Sequence, residues 1–292
     1  MRPGLELLFQ TVPADVREQV VVRAEDLIQR QSIVLLIVVA GGTLAGATLV
    51  ALQAGGVGLV WPPRAAAGYA PAAEDALVQG ALAWFRSRGV RLAQALLPPE
   101  EATQAGSLVR NGLPHVTTLW FMRYHLGPDP IDRTALARVS FVPYQGPYRH
   151  VLETTLLRTY EGSLDCPELN GIRPIDEIIA SHQAQGSFTP AHWWLALDGP
   201  VPVGVVLVNA VPEWQSWEIV YMGVVPEARG KGLGRILVLK ALAEAQATGV
   251  PQVTLSVDGR NHFAKRLYEA LGFAKWGQRE VYLAALTPPA AT

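Results

Sequence analysis

The chain has 292 residues, half of them hydrophobic, which is enough apolar material for one large domain or two ordinary ones. Its formal net charge of −1 excludes a strongly basic, nucleic-acid-binding protein. The single cysteine, Cys166, excludes an internal disulfide and fits a reducing compartment. The N-terminus does not resemble a secretory signal, because acidic residues follow a short apolar patch. We therefore expect a cytoplasmic protein, and no Cys/His spacing predicts a metal site.

A stretch without charged residues runs from position 31 to position 63, and its length could span a bilayer. The pairs Gly41-Gly42 and Gly55-Gly56 divide it into pieces of strand length, and glycine pairs are turn signals. Glycine also occurs in membrane helices, so composition leaves both interpretations open. We expect three buried strands here and keep a membrane span as the alternative.

The sequence Gly-Pro-Asp-Pro at positions 127–130 indicates a turn, and this turn predicts a boundary between two domains. The expected division is a first domain over 1–125, a linker over 126–136 and a second domain over 137–292. A strand over 138–143 and helices near 148–160 and 174–183 should open the second domain. Between these helices lies a polar loop, 164–171, which by itself predicts only a solvated connector.

A glycine-rich turn at positions 225–234, Val-Pro-Glu-Ala-Arg-Gly-Lys-Gly-Leu-Gly, separates a strand-like run from an amphipathic run over 235–248. The helix that follows offers free N–H groups and the positive end of its dipole. The glycines allow the backbone to approach a phosphate closely, and Arg229, Lys231 and Arg235 add positive charge. The spacing fits neither a nucleotide P-loop nor G-x-G-x-x-G, so the pattern predicts an anion site of another kind.

A second segment, 261–273, follows a strand predicted over 252–257. Asn261 can cap the helix that begins after it, and Gly272 can end that helix in the left-handed conformation. Taken alone, the segment predicts an ordinary capped helix that carries a tyrosine, Tyr268.

Together the two segments resemble the signatures of the GNAT superfamily of N-acetyltransferases. Positions 224–234 contain V-x-P followed by R-x-x-G-x-G, and positions 261–273 match N-x-x-A-x-x-x-Y-x-x-x-G-F. The resemblance implies an enzyme that transfers an acetyl group from acetyl-CoA to a primary amine, by direct attack in a ternary complex and without a metal. It also implies contacts to acetyl-CoA from Met222, Gly223, Val224, Arg229, Gly230, Lys231, Gly232, Leu233, Gly234, Arg235 and Asn261.

The resemblance further assigns roles on the strand before the glycine loop and on the helix after it. In the family that strand splays from its neighbour and pairs with the pantetheine arm of CoA. Gly223 would suit a bulge that frees an N–H for the acetyl oxygen. Tyr268 is the candidate acid for the thiolate, with a packed aromatic as the alternative. Glu218 is the candidate base, on one strand face with Val220, Met222 and Val224, with a rim salt bridge as its alternative.

The first half of the chain repeats the order of elements of the second half. Gly46 lies opposite Gly204, and Val60-Trp-Pro-Pro lies opposite Gly223-Val-Val-Pro. We therefore predict an α/β (α+β) protein with two tandem GNAT-like domains, each with a mixed, mostly antiparallel central sheet flanked by helices. The segment 63–71 lacks the glycine spacing, so the first copy is expected to be degenerate and to serve structure or dimerisation.

The sequence leaves the acceptor open, because a small-molecule amine and a peptide amine both fit the predicted chemistry. In the GNAT fold the loop over 164–171 would border the acceptor pocket. No nucleic acid partner is expected, and a homodimer is kept as a hypothesis. Two other functions remain as alternatives: a non-catalytic acyl-CoA-binding or interaction protein, and an acyltransferase anchored in a membrane through 31–63.

Overall fold

The computed structural model describes residues 1–286, which divide into two compact units. The first unit comprises Met1–Val116 together with residues 279–286, and the second unit comprises Thr117–Gln278. Each unit is a mixed sheet with helices packed on it. The predicted α/β class is therefore confirmed.

The first unit contains two helices, then a meander of strands, and then a strand between two further helices. These elements are α1 (Arg2–Leu8), α2 (Ala14–Gln29), β1 (Val34–Ala40), β2 (Thr43–Gln53), β3 (Val57–Val60), β4 (Arg64–Ala65), α3 (Ala72–Arg86), β5 (Leu92–Leu97) and α4 (Gly106–Arg110).

The charge-free stretch of the first unit forms the three strands β1, β2 and β3, as its glycine pairs predict. The middle of β2 and nearly all of β3 are buried, whereas β1 is an edge strand and exposes half of Ile37 and Val39. The expectation of three buried strands is thus confirmed for β2 and β3 and wrong for β1. Within residues 1–286 no helix is both long enough and apolar enough to cross a bilayer.

The second unit begins within β6 (His115–His125) and ends within the last strand of the chain. The elements after β6 are β7 (Ser140–Pro143), α5 (Tyr148–Thr159), α6 (Ile175–Gln183), β8 (Trp193–Asp198), β9 (Val201–Val211), β10 (Ser216–Val224), α7 (Leu233–Thr248), β11 (Gln252–Asp258), α8 (His262–Leu271) and the last strand, β12 (Ala274–Ala285).

The two units share one sheet topology. In the first unit the order is β1-β2-β3-β5-β12, and only the pairing of β3 with β5 is parallel. In the second unit the order is β8-β9-β10-β11-β6, only β10 with β11 is parallel, and β7 adds a strand beside β8. The same succession of partners in both halves is the architecture of a tandem repeat, as the sequence comparison predicts.

Strands β6 and β12 each pair with a strand from the other half of the chain. Residues of β6 pair with β11 in the second unit, with His125 opposite Gln252, and residues of β12 pair with β5 in the first, with Glu280 opposite Leu97. The compact units therefore divide the chain differently from the predicted domains. Turn signals mark where a strand ends but do not record which sheet it joins, and this explains the difference.

The predicted linker is an ordered part of the second unit. The side chain of Gln246 on α7 donates hydrogen bonds to the carbonyls of Gly127 and Asp129, at 3.1 and 2.8 Å. Arg133 donates to the carbonyl of Ala243 at 2.8 Å. These bonds hold the segment along α7, so it positions that helix as well as connecting strands.

Helices cover both faces of the second unit's sheet. Helix α7 buries Ile236, Leu237 and Leu242 against one face, together with Trp217 and Ile219 of β10. Helices α5 and α6 pack on the other face, where Val220 and Tyr221 of β10 join the apolar cluster. Strand β10 thus lies at the centre of the unit with both faces covered.

Candidate active site

A cavity opens where β10 and β11 separate. The two strands pair in parallel only over Ser216–Ile219 and Gln252–Leu255. Beyond that point a cavity of about 780 Å³ lies between them, lined on one side by β10 and on the other by Ser256 and Val257. The expected splay of the strand before the glycine loop is confirmed, and it leaves the edge of β10 facing the cavity rather than β11.

The irregularity in β10 lies at Val220 and not at Gly223. The pairing of β9 with β10 shifts register between Ile219 and Tyr221, whereas Gly223 pairs regularly with Val205. The expected bulge at Gly223 is therefore wrong. A bulge adds a residue and reverses the alternation of faces beyond it, so Met222 packs against the α7 cluster while Val220 packs against the α5 cluster.

The shifted register also corrects the predicted face of Glu218. Trp217 and Ile219, its two neighbours, both belong to the α7 cluster, so strand alternation directs Glu218 to the opposite face. Met222 and Val224 pack on the α7 side, so the expectation that they share a face with Glu218 is wrong.

Gly223 is required by close packing. A Cβ atom on this residue would lie 2.6 Å from both Cβ and Oγ1 of Thr159, and 2.8 Å from Oη of Tyr221. The hydroxyl groups of Thr159 and Tyr221 are themselves hydrogen-bonded at 2.7 Å. The absence of a side chain therefore allows the end of α5 to contact β10 and to close one wall of the cavity.

The glycine loop places the start of α7 at the mouth of the cavity. Gly230 and Gly232 have φ angles of +74° and +79°, a region that other residues rarely adopt, and Gly232 is the N-cap of α7. No acidic residue stands in the first turn of α7, and Gly232, Leu233, Gly234 and Arg235 line the cavity. The loop has the open backbone and the positive helix terminus that an anion site needs.

The three cations of this region occupy different environments. The guanidinium of Arg229 donates to three carbonyls, those of Val224 at 3.1 Å, Gly162 at 3.3 Å and Thr159 at 3.0 Å. Arg229 therefore ties the loop to the end of α5. Arg235 is exposed and lines the cavity, whereas Lys231 is exposed and lies outside the lining.

Helix α8 forms the wall opposite β10 and has the predicted ends. The side chain of Asn261 accepts the N–H of Ala264 at 3.1 Å, and Gly272 ends the helix with φ +100°. Asn261 and Tyr268, seven residues apart, both line the cavity. Burial, reinforced by the negative charge of Asp165, raises the pKa of Tyr268, which keeps its hydroxyl protonated.

Glu218 lies before the point where the strands separate, between Asn209 of β9 and Thr254 of β11. It is partly buried, and burial raises the pKa of its carboxyl. Its side chain is not part of the cavity lining. The structure thus brings together most of the predicted site residues around one cavity and leaves Glu218 and Lys231 outside its wall.

The end of α5 and the loop after it also line the cavity, and the resemblance implies such a position only for the loop over 164–171. Thr159, Gly162, Ser163, Leu164 and Asp165 all line the cavity. In the sequence this stretch has only the polar character of a connector. Its approach to the cavity depends on contacts with β11 that no local pattern encodes.

Comparison with known sequences assigns this chain to one protein family. Residues 158–273 match the family described as Acetyltransferase (GNAT) family. The mycothiol acetyltransferase of Thermobispora bispora is 34% identical over 209 residues, which cover 65% of this chain and 63% of that protein. The mycothiol acetyltransferase of Beutenbergia cavernae is 31% identical over 241 residues, which cover 73% of this chain and 77% of that protein. The chain therefore spans slightly less than two thirds of the first relative and more of the second.

Solved structures with low identity show the same fold over both halves. A GCN5-related N-acetyltransferase from Sphaerobacter thermophilus aligns with a TM-score of 0.60 at 19% identity, over 93% of this chain and 86% of that one. A tandem GNAT protein from the clavulanic acid biosynthesis pathway aligns with a TM-score of 0.50 at 17% identity, over 88% and 85%.

Proposed function

Because the chain belongs to the GNAT family of acetyltransferases, we propose that it is an N-acetyltransferase that moves the acetyl group of acetyl-CoA to a primary amine. One observation carries the proposal: the edge of β10, the glycine loop and Tyr268 line a single cavity. A thioester held there would lie beside a proton donor and beside backbone N–H groups.

The lining of the cavity fits each part of acetyl-CoA. The N–H groups at the start of α7 would hold the pyrophosphate, with Arg235 as the neighbouring cation. The pantetheine arm would pair with the free edge of β10 as an added strand, near Met222–Val224. The amide of Asn261 would donate to this arm, since its oxygen is already used as the helix cap.

We propose direct transfer in a ternary complex. The neutral amine attacks the thioester carbonyl, which backbone N–H groups of β10 polarise, and the C–S bond breaks. Tyr268 then gives its proton to the departing thiolate, and its raised pKa ensures that this proton is present near neutral pH. Glu218, whose carboxyl pKa burial raises, is the base that the resemblance implies.

The proposed acceptor is a small-molecule amine. The relatives are named mycothiol acetyltransferases, so the first acceptor to test is mycothiol without its acetyl group. Peptide amines and amino sugars belong in the same assay as alternatives.

We propose that acetyl-CoA binds only to the second unit. Helix α3, which follows β3 and β4 in the first unit, starts after Pro71 and carries Glu74 and Asp75 in its first turn. Two carboxylates at that terminus oppose a pyrophosphate, whereas the first turn of α7 has none. Calorimetry with CoA should therefore give one site per chain, and two equivalent sites would contradict this assignment.

The experiment that tests the function is release of free thiol from acetyl-CoA in the presence of a panel of amines. Amine-dependent release supports the enzyme, and its size across the panel identifies the acceptor class. Saturable CoA binding without release for any amine would favour the non-catalytic acyl-CoA-binding alternative.

A further inference from the structure

Two aspartates meet where the loop after α5 contacts the end of β11, beside the cavity that also holds Tyr268. Asp165 of the loop after α5 lines the cavity, and Asp258 at the end of β11 is fully buried. The two are joined through the backbone: the N–H of Asp258 donates to Oδ1 of Asp165 at 2.9 Å, and the N–H of Cys166 donates to Oδ2 of Asp258 at 3.0 Å. This reciprocal pair fixes the loop against the strand.

Both carboxylate oxygens of Asp258 accept hydrogen bonds from neighbouring donors. Thr117 Oγ1 donates to it at 2.5 Å, and Arg260 donates from its backbone N–H at 2.8 Å and from Nη2 at 2.7 Å. Burial acts to raise the pKa of Asp258, but the hydrogen bonds from Arg260, Thr117 and Cys166 outweigh it and hold the pKa at about 2. Asp258 is therefore a permanent anion, and it cannot accept a proton near neutral pH.

Asp165 accepts fewer hydrogen bonds than Asp258, and its pKa is shifted in the opposite direction. Of the hydrogen bonds within residues 1–286, its carboxylate accepts a single one, from the Asp258 N–H. Burial raises its pKa, the hydrogen bond from the Asp258 N–H and the charge of Arg260 act to lower it, and the negative charge of Asp258 adds to the increase. Asp165 also interacts electrostatically with Tyr160, Tyr221, Tyr268 and Cys166, so charged and titratable neighbours reach it from α5, β10, α8 and its own loop.

We propose that Asp165 is the catalytic base that takes the proton of the acceptor's ammonium group, and that Asp258 is a positioning residue that holds it there. The inference rests on the proposed function and deepens it. Two neighbouring carboxylates whose environments separate their proton affinities are the usual arrangement in which one does acid–base work and the other stays ionised. Asp165 has a place in the cavity wall with Tyr268, whereas Glu218 does not.

The step balances in protons and charge. The Asp165 carboxylate takes one proton from R–NH₃⁺, and the resulting amine forms the C–N bond to the thioester carbonyl. The C–S bond breaks, and the CoA thiolate takes the hydroxyl proton of Tyr268. The second proton lost by the nitrogen restores Tyr268, and Asp165 releases its proton to solvent. One proton thus leaves the enzyme for each amide formed.

The test compares Asp165→Asn with Glu218→Gln in the full-length protein. Thiol release is measured as a function of amine concentration from about pH 6 to pH 10, and acetyl-CoA affinity is measured by calorimetry. The Asp165→Asn variant keeps an acceptor for the Asp258 N–H, so we expect unchanged acetyl-CoA affinity. We expect its kcat/KM for the amine to fall by about 10²-fold near pH 7.

The pH profile separates a base from a structural residue. In the unmodified protein kcat/KM should rise as pH increases through the pKa of Asp165, because the base acts when ionised. In Asp165→Asn that limb should disappear, and activity should recover only where the free amine is neutral by itself. Added formate should restore activity to Asp165→Ala, since it supplies a carboxylate in the vacated space.

Two outcomes overturn the proposal, and they are distinguishable. An Asp165→Asn protein with the full rate and the original pH profile excludes Asp165 as the base, and so does a Glu218→Gln protein that alone loses the rising limb of the profile. Either result leaves the acetyltransferase function standing. An unmodified protein that binds acetyl-CoA but releases no thiol with any amine overturns the proposed function, and the role of Asp165 with it.

Discussion

Tyr268 and Tyr124 both contact the ring of Phe273, with ring centroids 5.8 and 5.4 Å apart, yet only Tyr268 lines the cavity. This makes them a matched pair. We predict that Tyr268→Phe lowers kcat by about 10²-fold, because the hydroxyl acts only as the thiolate forms, and leaves acetyl-CoA affinity nearly unchanged. Tyr124→Phe should change neither quantity. An unchanged kcat for Tyr268→Phe in an assay limited by chemistry would remove this residue from the mechanism.

At single residues, the sequence was informative where a role follows from local geometry. Asn261 as a cap and Gly272 as a left-handed terminus are consequences of helix ends, and both are confirmed. Gly223 was expected to form a bulge. Its actual constraint is the close approach of Thr159 from a distant helix, which the local sequence does not show. The loop of Asp165 was expected beside the acceptor pocket, but no local pattern assigns a role to Asp165 itself, whose carboxylate is held by the N–H of Asp258 on a distant strand.

At the level of elements, helix α7 has a left-handed glycine at each end, and only one of them faces the cavity. Gly232 and Gly249 have φ angles of +79° and +77°. Valine at either position carries a backbone cost of about 1–2 kcal/mol. We predict that Gly232→Val also weakens CoA binding by roughly 100-fold, because its side chain fills the space of the pyrophosphate.

Gly249→Val is the control for backbone strain, since nothing lies within 4 Å of its Cβ position and it is far from the loop. It should lower thermal stability as much as Gly232→Val does while CoA affinity stays unchanged. Calorimetry and thermal unfolding of both variants check this. Equal loss of CoA affinity in the two would show that helix stability, and not the loop surface, controls binding.

The Asp258 carboxyl at the end of β11 should make the stability of the protein depend on pH. The pKa of Asp258 is lowered in the folded protein from 3.8 to about 2. Its contribution is therefore complete above pH 4 and is lost as pH falls toward 2. Asp258→Asn should reduce the free energy of unfolding by about 2 kcal/mol at pH 7. The difference from the unmodified protein should shrink in acid.

Urea unfolding at pH 7 and near pH 3 measures this difference. The exposed Asp198→Asn provides the control and should show less than about 0.5 kcal/mol at either pH. A deficit for Asp258→Asn that persisted unchanged into acid would show that the carboxylate charge does not hold the loop.

Strand β10 shows which features of an element can be predicted from the sequence and which cannot. Its existence, and the glycine loop and helix that follow it, were readable because apolar periodicity and turn chemistry are local. The bulge at Val220 was not, since it depends on the register with β9. One inserted residue moved Met222 to the face opposite Glu218 and so changed the predicted arrangement of the site.

At the scale of the whole molecule, the repeat was detectable because both halves place glycines and prolines in the same order. Two units of equal sheet topology confirm it. The pairing of β6 with β11 and of β12 with β5 could not be predicted, because the pattern of a strand does not record which sheet it joins. The predicted cut near residue 130 therefore falls inside the second unit.

This arrangement determines how the chain can be shortened. A fragment that starts at Ala137 loses β6, the partner of β11, and with it Met122, which is completely buried in the α7 cluster. A fragment that starts at His115 keeps both, while each fragment equally lacks β5 beside β12. The comparison therefore isolates the effect of β6.

We predict that the fragment from Ala137 has a Tm lower by roughly 10 °C, because losing a buried methionine and the strand paired with β11 costs several kcal/mol. It should also associate through the exposed edge of β11. Thermal unfolding and size-exclusion chromatography of the two fragments provide the measurements. Equal Tm values and two monomers would mean that β6 is dispensable to the second unit. A shorter fragment that also kept full thiol release would show that neither β6 nor the first unit supports the site.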